Sequence, residues 1–151
     1  METDMEWLAI VLCCAREGIR ETVYLDHLGK PTAGIGHLLT EEERKTYKVG
    51  EKIPMELVSQ WYQKDLLKAL GAAKAQANEL GAESEFFIAA LASVNFQLGT
   101  AWYKIHKKTW RLLTEQNWQE AAKEVTKSVW YKQTPKRVED FQRAILSLHT
   151  T

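Results

Sequence analysis

Apolar residues recur along most of this chain at helical spacing. Trp7, Ile10, Val11 and Cys14 fall at i, i+3, i+4 and i+7, so residues 4–16 read as an amphipathic helix. Gly18 stands just past its end, where a left-handed cap fits. Between 22 and 39 the pattern changes: Val23, Tyr24, Gly29, Pro31, Gly34 and Gly36 suit short strands and tight turns. Thr40-Glu41-Glu42-Glu43 is a capping box, which predicts a short helix from about Glu41. Gly50 closes that region, and Ile53-Pro54 opens a longer helix running to about Ala77 or Leu80.

From Ser84 on, every segment reads as helical. Phe86, Phe87, Ala90, Leu91 and Val94 form an apolar helix ending at Gly99. Residues 102–114 carry one or two short helices. Asn117 followed by Glu120 predicts a capped helix to about Val129, and Thr134-Pro135 starts the last one. The expected class is α+β, predominantly α-helical, with two lobes in one domain spanning 1–151. The predicted parts are an N-terminal α+β lobe over 17–53, a connecting helix over 54–79, and a helical lobe made of 1–16 and 80–151. Two lobes joined by a helix make a cleft, the usual place for a binding site.

Charge changes this picture by exclusion. Twenty Lys and Arg balance twenty Asp and Glu, so the total gives no electrostatic case for nucleic acid or an anionic membrane. The longest apolar run, Trp7 to Ala15, is too short to span a bilayer. Glu2, Asp4 and Glu6 precede it where a signal peptide needs positive charge, so the chain is expected to be made in the cytoplasm without an export signal of its own. Cys13 and Cys14 are adjacent, which normal disulfide geometry does not allow, and two ligands do not make a zinc site. No metal and no cofactor are expected.

The candidate chemistry sits at the junction of the first helix and the strand region. Glu17 lies nine residues before Asp26, and Thr32 follows six residues later. Two carboxylates and a hydroxyl on a helix end and a glycine-punctuated hairpin can hold an acid, a base and a water around a glycosidic bond. Each residue taken alone also has an ordinary reading: Glu17 as a solvated helix-end charge, Asp26 as a turn residue before His27-Leu28-Gly29, and Thr32 as a strand former.

Arg16-Glu17-Gly18, Tyr24, Asp26, Thr32 and Gly34-Ile35-Gly36-His37-Leu38-Leu39-Thr40 closely resemble the signature of the phage-type lysozymes, the endolysins of glycoside hydrolase family 24. Two further blocks follow in the family's order. One is Asn95-Phe96-Gln97-Leu98-Gly99; the other runs from Trp118 through Glu120-Ala121-Ala122, Lys127-Ser128, Trp130-Tyr131 and Gln133-Thr134-Pro135 to Arg137. The resemblance implies a lysozyme-like fold and muramidase activity on the β-1,4 bond between N-acetylmuramic acid and N-acetylglucosamine in peptidoglycan. It implies Glu17, Asp26 and Thr32 as the catalytic set: Glu17 the general acid, Asp26 the base or orienting group, Thr32 the holder of the attacking water. That pairing implies inversion, with carboxyls roughly 6.5–9.5 Å apart to admit water. The resemblance also places Arg137 close to Glu17, where its charge would lower a pKa that desolvation would raise.

Leu38, Phe96 and Thr109 occupy positions that the family uses to line the saccharide groove, and Gln97 is a reasonable hydrogen-bonder there. Gly34 and Gly36 meet backbone demands of the hairpin. His37 reads as a structural group, with Asp65 on the connecting helix as its candidate partner, rather than as a base. Trp7, Trp61, Trp118 and Trp130 read as core; Trp102, Tyr103 and Trp110 are left open between core and cleft wall. Glu124 is not taken as a ligand. Many of the family are basic, whereas this chain is neutral, so attraction to anionic wall must be weaker or local, with Lys104, Lys107, Lys108 and Arg111 as the candidate patch.

The leading expectation is a monomeric endolysin held in the host cytoplasm until lysis. It would then act on the periplasmic wall, with no stable membrane association and with its release dependent on a holin. A virion- or tail-associated lysozyme uses the same chemistry, and the chain's end soon after its last helix weighs against it. A non-catalytic lysozyme-fold binder would have no need of all three catalytic groups. A lytic transglycosylase needs no water, so the Asp26 and Thr32 pair counts against it.

Overall fold

The computed structural model describes residues 18–26 and 28–148. The predicted first helix, Cys13, Cys14, Trp7, Glu17, His27 and His149 lie outside the described residues. Along the described chain run three strands and seven α-helices: β1 (Arg20–Leu25), β2 (Pro31–Gly34), β3 (His37–Leu38), α1 (Glu41–Thr46), α2 (Met55–Leu80), α3 (Glu85–Leu98), α4 (Lys107–Thr114), α5 (Trp118–Val125), α6 (Val129–Gln133) and α7 (Pro135–Ser147). A 3₁₀ turn, Trp102–Lys104, precedes α4. The class is α+β and mostly helical, as the spacing of apolar residues predicts. Contacts divide the chain into two units that meet in sequence at Leu67 and Lys68, within α2.

The first unit is built on an antiparallel sheet in the order β1-β2-β3. Tyr24 pairs with Thr32 and Leu25 with Pro31, while Thr32 on its other side pairs with Leu38. The free edge of β1 is closed by chain rather than left open: Val23 N–H donates to Glu51 O, Gly50 N–H to Val23 O, and Ile53 N–H to Glu21 O. Val23, Ala33, Ile35, Leu39, Ile53, Val58 and Trp61 are buried and form this unit's core, each large side chain contributing about 1.5–3 kcal/mol by burial. Gly34 has φ 66, and a Cβ there would stand 3.2 Å from Val58 Cγ1, so both the turn and the sheet–helix approach require glycine. The predicted capping box is present: Glu43 N–H donates to Thr40 Oγ1 at 3.2 Å and Thr40 N–H to Glu43 Oε1 at 2.8 Å.

In the second unit α3 is the central element, with Phe87 through Asn95 buried without interruption. A helix apolar on every side belongs in the middle of a bundle. It packs on α7, which in turn contacts α5 and α6. Phe141 of α7 is ringed by Phe87, Trp102 and Trp130, with centroids 5.7–6.2 Å apart. Trp102 is 1% exposed, which makes it core; Tyr103 and Trp110 lie half-buried against each other. Trp61 and Trp130 are buried as expected, but Trp118 is only half-buried.

Three local expectations need correction. The helix opened at Trp118 ends at Val125 rather than near Val129. Thr126 Oγ1 donates back to Lys123 O at 2.7 Å, and Ser128 Oγ donates to Val125 O while accepting from Tyr131 N–H, so these hydroxyls end one helix and start the next. Asn117 and Thr134 stand at N-cap positions, yet neither side chain caps. The Thr134 hydroxyl instead donates to Trp130 O and accepts from Gln97 Nε2.

Candidate active site

β1 turns into β2 through a loop that Asp26 organises. Asp26 N–H donates to Lys30 O at 3.0 Å and Gly29 N–H donates to Asp26 O at 2.9 Å. The Asp26 Oδ1 atom accepts from Leu28 N–H and Lys30 N–H, both at 2.9 Å. Asp26 is thus the turn residue that its sequence context predicts, through one oxygen only. Its Oδ2 has no hydrogen-bond partner among the described residues and remains open to an acceptor role toward water.

Thr32 is 5% exposed and donates its hydroxyl hydrogen to Lys30 O at 3.0 Å. That fixes the rotor and leaves the Oγ1 lone pairs as acceptors. Tyr24 pairs with Thr32 and Leu25 with Pro31, so Asp26 follows directly after the strand that pairs with Thr32.

His37 is held on β3 by two carboxylates. Its Nδ1 lies 2.6 Å from Asp65 Oδ2 and its Nε2 2.8 Å from Glu43 Oε1, and its ring stacks on Trp61 with centroids 4.3 Å apart. Both contacts are donated only by the doubly protonated ring. Burial alone would push the His37 pKa down, but the hydrogen bonds and charges of Asp65 and Glu43 overcome it and hold the pKa above its ordinary 6.5. Glu43 is itself held below its ordinary 4.5: burial opposes this, and the Thr40 N–H and the His37 ring outweigh it. The expected Asp65 pairing is present. Glu43 is the partner that sequence reading missed, although its capping box was the available signal. A ring nitrogen engaged on each side by carboxylate is occupied, which agrees with a structural His37.

The remaining site residues are distributed over both units. Leu38 on β3 is 47% exposed, and Gly36 turns with φ 64. In the second unit Thr109 on α4 is buried, and Phe96 and Gln97 near the end of α3 are half-buried. Gln97 is already engaged: its Oε1 accepts from Trp130 Nε1 at 2.9 Å and its Nε2 donates to Thr134 Oγ1 at 3.2 Å. Arg137 on α7 is 5% exposed, with Nε donating to Ser93 Oγ at 3.2 Å and a terminal nitrogen to Ser93 O at 3.4 Å. Glu124, which is not taken as a ligand, lies 3.5 and 3.6 Å from Lys108 and Lys127. Among the described residues no group of three metal-binding side chains converges.

The family description Phage lysozyme matches residues 15–143, most of the chain. The chain belongs to the phage lysozyme family. It is 31% identical to Probable T4-type lysozyme 2 of Dictyostelium discoideum, over 80% of this chain and 83% of that protein. It is 30% identical to Peptidoglycan hydrolase gp36 of Pseudomonas phage phiKMV, where the match takes in 83% of this chain but 14% of the phage protein. The match to this family accords with the α+β architecture and with the order of the three sequence blocks.

Proposed function

We propose that this lysozyme-family chain is a muramidase that hydrolyses the β-1,4 bond between N-acetylmuramic acid and N-acetylglucosamine, with inversion. Family membership supports lysozyme-type hydrolysis of peptidoglycan. The observation that supports the mechanism is a half-engaged Asp26 carboxylate and a fixed Thr32 hydroxyl that both bond to Lys30 of the same loop. Glu17 protonates the leaving oxygen. Water held by Thr32 loses a proton to Asp26 and attacks the anomeric carbon from the opposite face, and Glu17 is left as carboxylate. Arg137 balances that charge, Leu38, Phe96, Gln97 and Thr109 contact the saccharide, and His37 and Gly36 support the hairpin. The protein acts as a monomer.

The biological setting we favour is host lysis: the enzyme waits in the cytoplasm and reaches the periplasmic wall after a holin opens the membrane. A second setting, a lysozyme domain working within a larger virion protein, is favoured by the phage hydrolase in which the matching region is 14% of the whole. The deciding experiment is clearing of outer-membrane-permeabilised Gram-negative cells by wild type and Glu17→Gln, with product analysis. Wild type should clear and the variant should not, with α-anomeric reducing ends formed first. Equal clearing by both would remove Glu17 from the mechanism, and anhydromuramic ends would make the enzyme a transglycosylase.

A further inference from the structure

The overall neutrality of the chain conceals a segregated region. From Phe86 to Thr114 there is no acidic residue, while Lys104, Lys107, Lys108 and Arg111 all fall within it. These four are exposed on the 3₁₀ turn and α4. Lys108 lies 3.5 Å from Glu124 of α5, the neighbouring helix. Glu120 of α5 is engaged with Lys123 at 3.5 Å. Among the described residues no carboxylate pairs with Lys104, Lys107 or Arg111. Burial holds the His106 imidazole below its ordinary pKa, so the positive charge here comes from the lysines and the arginine.

Between Lys104 and Lys107 stands Ile105, 79% exposed and the most exposed large apolar side chain of the described residues. The residues around it are not loose. Trp102 beneath is buried, and Ile105 N–H and His106 N–H both donate to Trp102 O, at 3.1 and 3.0 Å. The turn is therefore fixed with its isoleucine outward. A hydrated glycan offers an aliphatic tip only sugar C–H faces and isolated methyls, little apolar area to bury in. A bilayer's headgroup–acyl boundary offers more, and anionic headgroups also pair with cations whose aliphatic stems can lie along the interface.

We propose that Lys104, Ile105, Lys107, Lys108 and Arg111 form a peripheral docking edge for an anionic phospholipid surface. The contact is reversible and salt-sensitive, since one isoleucine and four cations fall well short of a stable anchor. No helix of the described residues is long and apolar enough to cross a membrane. Docking would hold the enzyme at the bilayer face next to its wall substrate.

The test is co-sedimentation of the full chain with phosphatidylcholine vesicles, with and without phosphatidylglycerol, in low and high salt. Wild type should bind only the phosphatidylglycerol vesicles and release with salt. Lys104→Gln with Lys107→Gln should weaken binding about 25-fold, from about fivefold per lysine. Ile105→Ser should weaken it about tenfold through lost burial. Both variants should keep wild-type circular dichroism, and Ile105→Ser should keep wild-type hydrolysis of purified, vesicle-free peptidoglycan. Absence of binding to phosphatidylglycerol vesicles overturns the proposal. So does an Ile105→Ser chain that binds as well as wild type. If the lysine variant instead loses retention on sacculi while vesicles bind neither protein, the edge serves the wall and not the membrane.

Discussion

At the scale of single residues, Asp26 Oδ1 organises the loop while Oδ2 has no partner among the described residues. On the proposed mechanism, Asp26→Asn keeps the turn acceptor but removes the base. Activity should fall about 10²–10⁴-fold with little change in Tm, read by sacculus hydrolysis beside calorimetry. Thr32→Ala should lose activity similarly and also give up its hydrogen bond to Lys30, with a Tm loss that the asparagine variant does not show. His37 gives a pH signature. Its folded pKa is raised, so its contribution is complete below 6.5 and fades as pH rises through the folded value; that of Glu43 is complete above 4.5 and fades as pH falls through its lowered value. The cluster therefore stabilises most between pH 4.5 and 6.5. His37→Asn should cost about 1–3 kcal/mol in that window and less at alkaline pH, in urea titrations across pH. An unchanged pH profile in the variant would show that the imidazolium is not held as described.

Among elements, α2 contains a residue poorly suited to it. Gly71 sits in the helix, exposed, without a positive φ and with nothing within 4 Å of an added Cβ. Gly71→Ala should raise stability by about 0.5–1 kcal/mol in chemical denaturation, with hydrolysis tested alongside. The opposite sign is expected where α2, α3 and the 3₁₀ turn meet. Gln76 Oε1 accepts from Asn95 Nδ2 at 2.8 Å and Trp102 Nε1 at 3.1 Å, and its Nε2 donates to Asn95 Oδ1 and Thr100 O. Gln76→Met would strand these buried partners at a cost of about 2–4 kcal/mol, where an exposed glutamine would cost almost nothing. None of this network was legible in the sequence. Gln76 appears there as one polar position in a helix, and its partners lie 19 and 26 residues away. The break at Thr126 was likewise hidden, because a hydroxyl's choice between its own helix and water is made by geometry.

For the whole molecule, local patterns were the more legible, although at His37 the distant Asp65 was expected and the nearby Glu43 was missed. The succession of strands and helices is written in apolar spacing and in the Thr40 cap, whose side chain does bind the N–H group three residues on. The catalytic candidates were legible because Glu17, Asp26 and Thr32 are close in sequence. Asp26 and Thr32 fall on the hairpin as expected, while Glu17 is placed by the resemblance alone. The division of labour at Asp26 was not legible, since it depends on loop closure. Neither was the second carboxylate at His37, which needs a helix to fold back beside a strand. The zero net charge said little, and the cations Lys104, Lys107, Lys108 and Arg111 were legible as a local patch, whereas the exposure of Ile105 among them was not.

The stacking of His37 on Trp61 gives the protein an internal indicator. A protonated imidazole quenches excited indole by taking an electron, and a neutral one does so far less. Trp61 emission should therefore brighten as the His37 proton leaves, so fluorescence in intact protein reads the state of a hydrogen bond that pH otherwise reveals only through unfolding.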